Sequence, residues 1–183
     1  MKGLSKESEL LFISQSLELP DTGNAVTREV NLPLNTLERQ IFVVTDIMAY
    51  VSGDPFSQSS TVPNQDVYWK WSISSQDLDP ILSNGQAGDI GNPRVLAAGQ
   101  WRTSLGATSG DMLHLEENSA TSTTGTPSDY LGIIATPDFF IRGLFKNAAG
   151  IGNAALEVRV VGYMAVASAD VYAALVTQEV NSQ

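Results

Sequence analysis

Residues 67–74, Val-Tyr-Trp-Lys-Trp-Ser-Ile-Ser, alternate apolar and polar side chains along the chain. In an extended strand successive side chains point to opposite faces, so Trp69, Trp71 and Ile73 share one face. The opposite face is mainly polar. This alternation predicts a half-buried β-strand with its tryptophans in the core.

Two longer stretches also favour strands. From Ala155 to Ala167 one face carries apolar residues, and the other begins with two charged ones. The first set is Leu156, Val158, Val160, Met164 and Val166, and the second is Glu157, Arg159, Val161 and Tyr163. The run from Gln40 to Val51 is apolar on both faces, which is typical of a central strand that is covered on both sides. Strict alternation places its side chains in two sets, Ile41, Val43, Ile47 and Val51 against Phe42, Val44, Met48 and Tyr50.

Six further segments carry weaker strand patterns: Leu10–Leu19, Ala25–Leu32, Arg94–Thr103, Asp111–Glu116, Tyr130–Thr136 and Phe139–Lys146. Together these segments predict about nine strands. Long polar connections separate them at Ser52–Asn64, Asp77–Pro93 and Glu117–Ser128. The pattern predicts an all-β fold, a β-sandwich. Because the connections are long, we favour an eight-stranded jelly roll over an immunoglobulin-like sandwich.

The length and composition favour a single domain over residues 1–183, since 43% of the chain is hydrophobic and 16% is charged. Residues 1–8 are expected to form a flexible N-terminal arm. A short C-terminal helix is predicted over residues 168–178, with Ser168 as N-cap and Asp170 in the first turn.

The formal net charge of −10 disfavours direct binding to nucleic acid or to anionic lipid. The ten basic residues are scattered, and none of them cluster into a phosphate-binding footprint. There is no cysteine, which excludes disulfides and thiolate chemistry. The apolar stretches are too short to predict a signal peptide or a bilayer-spanning helix.

No catalytic site is predicted, and we expect the protein not to be an enzyme. His114 is the single histidine, and no Gly-x-Ser-x-Gly motif is present to supply a nucleophile. The paired carboxylates Asp77 and Asp79, like Glu116 and Glu117, are interpreted as solvated turn and strand residues. No catalytic or cofactor-binding residue is assigned, and no cofactor is expected.

The sequence does not decide whether the protein binds a metal ion. Calcium could use oxygen ligands from Asp77, Asp79, Asp89 and loop carbonyls, although no calcium-binding loop motif is present. The glycine-rich stretches 84–91 and 150–153 lack a phosphate-loop ending and are interpreted as turns.

Exposed aromatic side chains would suit a sugar-binding module, because pyranose rings stack on aromatic faces. Trp69 and Trp71 lie on the apolar face of their strand, so we expect them to pack in the core. Tyr68, on the other face, and Trp101 are the better candidates for a sugar platform. This keeps a carbohydrate- or protein-binding β-sandwich as the alternative function.

Three stretches resemble parts of the single-jelly-roll coat proteins of tailless icosahedral viruses. These are Gln40–Asp46 and Val158–Tyr163, similar to strands, and Ser168–Ala174, similar to the C-terminal tail. The resemblance implies two four-stranded sheets and a structural subunit that self-assembles into a capsid in the virion. Its partners would be copies of itself, with a second coat protein as a further candidate.

The chain departs from many coat proteins in lacking a basic N-terminal arm. That absence disfavours direct contact with the genome and suits a shell with an underlying membrane or protein layer. A central strand apolar on both faces also needs cover, from loops, the terminal helix or another subunit.

Overall fold

The computed structural model describes residues 4–20, 22–52, 66–83, 85–105, 112–121, 130–146 and 154–181. Over these ranges the chain forms ten β-strands and one α-helix, with the strands in two antiparallel sheets. In chain order the elements are β1 Leu4–Lys6, β2 Leu11–Leu19, β3 Val26–Asn31, a 3-10 turn Thr36–Glu38, β4 Gln40–Ser52, β5 Asp66–Ser74, β6 Val95–Leu105, β7 Met112–Thr121, β8 Gly132–Ile134, β9 Asp138–Lys146, β10 Ala154–Ala167 and α1 Ala169–Asn181.

The strand order is that of a jelly roll. In sheet A, β1 and β2 both pair with one edge of β10, which pairs in turn with β4 and then β8. Sheet B has the order β3, β9, β5, β6, β7. The strands β2, β10, β4 and β8 thus face β3, β9, β5 and β6 across the sandwich, with β1 and β7 as additions.

All nine predicted strands are present, and the predicted fold class is confirmed. Two segments differ from expectation. Within the expected flexible arm, Leu4–Lys6 form β1, because their backbone groups pair with the end of β10. The predicted connection at 117–128 begins later than expected, because β7 continues to Thr121 in pairing with β6. Residues 53–65, predicted as a connection, lie outside the described residues.

The core lies between the two sheets and contains the predicted tryptophan face. Trp69 stacks on Phe145 with ring centroids 5.0 Å apart, and Trp71 lies 6.2 Å from Trp101. From sheet A, Leu17, Leu19 and Leu156 belong to the same buried cluster as these rings. The alternation of residues 67–74 therefore identified the core face of β5 correctly.

A β-bulge in β4 changes which of its side chains face the core. The register between β4 and β10 shifts at Val161 and Gly162 and leaves Thr45 unpaired. The hydroxyl of Thr45 donates a hydrogen bond to the Val161 carbonyl oxygen, 3.1 Å away, which holds the bulge. The two faces predicted by strict alternation are therefore wrong beyond residue 45. Before the bulge the core side chains are Phe42 and Val44, and after it they are Ile47, Ala49 and Val51.

Helix α1 confirms the predicted C-terminal helix and covers part of sheet A. It begins after Ser168, whose carbonyl oxygen accepts a hydrogen bond from the Tyr172 amide. On the outer face of the sheet it packs Val171, Tyr172, Leu175 and Val176 near Ile41, Val43, Ala165 and Ala167. No helix in the described ranges has both the length and the apolar character needed to cross a bilayer.

Candidate interaction surfaces

The outer face of sheet B is covered by the 75–94 loop, which a buried arginine fixes in place. Arg142 of β9 is only 2% exposed, and its side chain reaches the loop at three points. Its Nε donates to the Gln86 carbonyl oxygen at 2.7 Å, and its Nη2 donates to the Ser83 carbonyl oxygen at 3.1 Å. Its Nη1 forms an ion pair with Asp79.

Electrostatics and apolar packing act together in this covering loop. Burial lowers the pKa of the Arg142 guanidinium, and the nearby Asp77 carboxylate raises it in opposition. An arginine nevertheless keeps its charge, so the loop carbonyls and Asp79 remain necessary partners. Beside this polar clamp, Leu78 and Leu82 pack near Val95 and Ala98. The long predicted connection at 77–93 is therefore a fixed cover of the sheet.

The outer face of sheet A is covered by α1 at one end and uncovered at the other. We call the uncovered end the open face. Its side chains form three rows across β2, β10 and β4, in the order Phe12, Val161, Asp46, then Ser14, Arg159, Met48, then Ser16, Glu157, Tyr50.

Large apolar side chains are exposed on the open face, and its polar groups bond to one another. The exposed fraction is 65% for Phe12, 53% for Met48 and 68% for Tyr50. The Ser16 hydroxyl donates to Glu157 Oε1 at 2.8 Å, and Arg159 Nε donates to Ser14 Oγ at 3.2 Å. A shallow cavity of about 220 Å³ opens between these rows. The polar groups thus form hydrogen bonds within the sheet, whereas Phe12, Met48 and Tyr50 remain exposed.

Sequence reasoning missed the open face because it depends on the bulge. Thr45 and Asp46, the polar pair that interrupts the apolar run of β4, were the one available signal. The extra residue turns Met48 and Tyr50 away from the core. Without it they would share the inward face of Phe42.

The acidic residues considered as calcium ligands instead shape turns and the clamp. Asp77 Oδ1 accepts the amide of Asp79 at 2.9 Å, and Asp89 Oδ1 accepts the amide of Gly91 at 2.8 Å. Asp79 pairs with Arg142. Within the part of the chain that the structure describes, no three acidic or histidine side chains come together as a metal site.

The remaining candidates for chemistry lie on β7. The backbones of His114, Glu116 and Glu117 pair with those of Ser104, Arg102 and Trp101 respectively. The side chains of these β7 residues lie outside what the structure describes. Of the glycine-rich stretches, the first forms turns with Gly88 at a φ of 90°, and residues 150–153 lie outside the described ranges.

The two aromatic candidates for a sugar platform have different environments. Tyr68 is half-buried on sheet B, with the Lys70 ammonium 5.5 Å from its ring centroid. Trp101 is directly paired with Trp69 across β5 and β6, and therefore shares its inward face. It is partly buried against the core. The expectation of Trp101 as a platform is wrong, because the register between these strands turns it inward.

No protein-family model matches the chain, and no curated protein sequence matches it. Among solved structures, it is similar to Merkel cell polyomavirus VP1 in complex with GD1a oligosaccharide, with a TM-score of 0.46, 10% identity and coverage of 92% of this chain and 99% of that chain. It is similar to the human polyomavirus 6 VP1 pentamer, with a TM-score of 0.46, 10% identity and the same coverage. For apo chimpanzee polyomavirus VP1, the TM-score is 0.45 and the identity 7%, over 92% of this chain and 100% of that chain. The structural neighbours are therefore polyomavirus coat proteins, and the jelly-roll assignment itself rests on the strand order described above.

Proposed function

We propose that this protein is a structural subunit that self-assembles through the open face of sheet A, as a capsid subunit located in the virion. The observation that carries the proposal is the group of exposed side chains Phe12, Met48 and Tyr50 on β2 and β4, the two strands that flank β10 on this face. Large apolar side chains that are exposed together on one face, with polar groups around them, are a mark of interaction sites. In this proposal the protein has no catalytic activity.

The energetics of the open face favour a protein partner. Full burial of a large apolar side chain contributes roughly 1.5–3 kcal/mol, so three such residues supply a substantial driving force. Apolar groups with polar neighbours also match the composition of protein interfaces, in which aromatic residues and methionine are enriched. The jelly roll supplies a rigid sheet on which these side chains keep a fixed spacing.

Copies of the chain itself are the partners in this proposal, and a second coat protein is a possible additional one. The net charge of −10 disfavours direct contact with the genome. An internal membrane or protein layer beneath the shell would be consistent with that charge.

The test compares wild-type protein with a variant in which Phe12, Met48 and Tyr50 are all changed to serine. Light scattering and negative-stain microscopy are measured over a range of protein concentrations. We expect closed, symmetric particles or rings from wild-type protein and monomers from the variant. Because Leu37 is 94% exposed on a turn away from the open face, Leu37→Ser is the matched control and should assemble normally. Equal assembly by the triple variant would refute the proposal.

A carbohydrate- or protein-binding β-sandwich is the second candidate function. The observation that favours it is half-buried Tyr68, which offers an aromatic ring beside the Lys70 ammonium on the outer face of sheet B. Wild-type protein that stays monomeric and binds a glycan array, with binding lost in Tyr68→Ala, would support this function. Glycan binding unchanged in Tyr68→Ala would exclude Tyr68 as the platform.

A further inference from the structure

Two neighbouring rows of the open face match each other chemically. Beyond the three rows described above, a fourth begins where Glu18 of β2 pairs with Ala155 of β10. The two middle rows of these four correspond position by position across the three strands, as Ser14, Arg159, Met48 and Ser16, Glu157, Tyr50. On β2 both residues are serines, on β10 they have opposite charges, and on β4 they are large exposed side chains. The open face therefore carries two complementary rows side by side.

The charged residues in the middle of these rows are able to bind groups above the sheet. Glu157 and Arg159 are both exposed, and they lie two residues apart on β10. Within the chain, Ser16 donates to one carboxylate oxygen of Glu157, and Ser14 accepts from one nitrogen of Arg159. A carboxylate has a second oxygen, and a guanidinium has further N–H donors. Both groups can therefore take part in an ion pair with a second molecule.

A second copy of the chain offers the complementary groups in the right order. Two copies packed face to face with aligned strands can be related by a two-fold axis that crosses the strands. If that axis passes between the two middle rows, each of these rows lies over the other row of the second copy. Arg159 then lies over Glu157 of the second copy, and Met48 lies over its Tyr50. Each contact occurs twice, because a two-fold interface repeats every pair in the reverse direction.

Other two-fold arrangements of the same face match less well. An axis along β10 places Arg159 over Arg159 and Glu157 over Glu157, and like charges in contact are unfavourable. Moving that axis towards β2 leaves Met48 and Tyr50 without cover, and moving it towards β4 sets Arg159 against Met48. An axis that crosses the strands between the first and second rows places Asp46 over Met48. Among these arrangements, the axis between the middle rows is the one that pairs opposite charges.

We propose that the open face binds the open face of a second copy about this two-fold axis, with two Arg159–Glu157 ion pairs between the copies. This register rests on the proposed self-assembly and specifies which surface of the partner is used. The shallow cavity of about 220 Å³ lies at the axis and is lined by side chains of both middle rows. The flexible side chain of Met48 from the second copy is suited to filling it. A two-fold contact joins copies in pairs, so in a symmetric shell it would lie on the two-fold axes.

The charged and the apolar side chains have different roles in this contact. Burial of Met48 and Tyr50 under the second copy supplies the driving force, and Phe12 lies at the rim, over Glu18 of the second copy. The ion pairs mainly set the register, because electrostatic complementarity contributes more to specificity than to affinity. Reversal of either charge would place like charges together at two points of the interface.

The test reverses the two central charges and measures self-association by analytical ultracentrifugation in about 0.1 M sodium chloride, where screening is moderate. We expect Arg159→Glu and Glu157→Arg each to raise the dissociation constant roughly tenfold or more, because each creates two like-charge contacts. The variant with both changes should associate as the wild type does, because the exchanged charges again face each other. An equimolar mixture of the two single variants should also associate, as heterodimers.

A change of net charge separates this register from general repulsion between acidic copies. Glu157→Arg changes the net charge from −10 to −8, so general repulsion alone predicts tighter association than in the wild type. The proposed register predicts weaker association. Glu38→Arg makes the same change of charge at an exposed turn away from the open face, and this matched control should not weaken association.

The outcomes distinguish failure of this register from failure of the proposed self-assembly. Association that is lost when Phe12, Met48 and Tyr50 become serine, but is not restored in the double charge-exchange variant, would keep the open face as the contact and overturn the two-fold register. Tighter association of Glu157→Arg than of the wild type would overturn the register as well. Wild-type protein that stays monomeric at every concentration would overturn both proposals together.

Discussion

Gly162 lies where β10 passes the bulge of β4, and the space there admits no side chain. A Cβ atom at this position would lie 2.4 Å from the carbonyl oxygen of Val43 and 2.7 Å from Cζ of Phe42. Side-chain rotation cannot relieve the first contact, because that oxygen belongs to the backbone of a central strand. We expect Gly162→Ala to lower the free energy of unfolding in urea by about 1–3 kcal/mol.

The matched control for this prediction is Gly85→Ala in the 75–94 loop. A Cβ atom at Gly85 would meet no atom within 4 Å. Its substitution should therefore change the free energy of unfolding by less than about 0.5 kcal/mol. Similar losses from the two substitutions would show that the close approach at Gly162 does not limit stability.

At the residue scale, sequence predicts whether a side chain faces the core when the alternation within its own strand decides its direction. Trp69 and Trp71 were assigned correctly because β5 alternates strictly. Trp101 was not, because its inward direction follows from its pairing with Trp69 across two strands. The burial of Arg142 could not be predicted either, since partners such as Gln86 are brought to it by the fold.

At the scale of elements, α1 is expected to stabilise the molecule through one face only. Leu175 packs against the outer face of sheet A, whereas neighbouring Ala174 is exposed to solvent. We expect Leu175→Glu to cost about 2 kcal/mol in urea unfolding, because it loses apolar burial and places a carboxylate against the sheet. Ala174→Glu should change stability by less than about 0.5 kcal/mol. Equal effects would contradict the packing of α1 on the sheet.

The sequence predicts which segments form strands or helices. It does not predict in every strand which side chains face the core. The nine expected strands and the terminal helix follow from local periodicity, which records how each segment is buried. In β4 the periodicity shows an apolar run on both faces and does not locate the extra residue. Thr45 takes that position because its hydroxyl reaches the Val161 carbonyl oxygen on β10, a partner far away in sequence.

For the whole molecule, the question is which outer surfaces remain free after folding. The 75–94 loop covers much of sheet B, and α1 covers one end of sheet A. Of the outer faces formed by the described residues, the open face remains exposed, and it gives a neighbour a defined direction of approach. Sequence indicated the need for cover on the central strand β4, but the division between α1 and the open face required the position of the bulge.

The net charge of −10 sets the salt dependence expected for the proposed assembly. Copies repel one another at long range, and the Debye length falls from about 10 Å at 0.1 M salt to about 3 Å at 1 M. The concentration needed for assembly should therefore fall as sodium chloride is added. On the open face, the carboxylates of Asp46 and Glu157 against the guanidinium of Arg159 give a formal charge of −1, which Arg159→Glu changes to −3.

We expect Arg159→Glu to raise the assembly concentration strongly at about 0.1 M salt and less at about 1 M, because screening weakens the added repulsion. Light scattering across salt concentrations measures both effects. Arg39→Glu produces the same net charge at the opposite end of β4, and should shift assembly far less. If the two variants shift assembly equally, total charge controls association and the open face is not the contact. Assembly that weakens as salt is added would show that attraction between opposite charges drives association. In that case burial of Phe12, Met48 and Tyr50 is not the driving force.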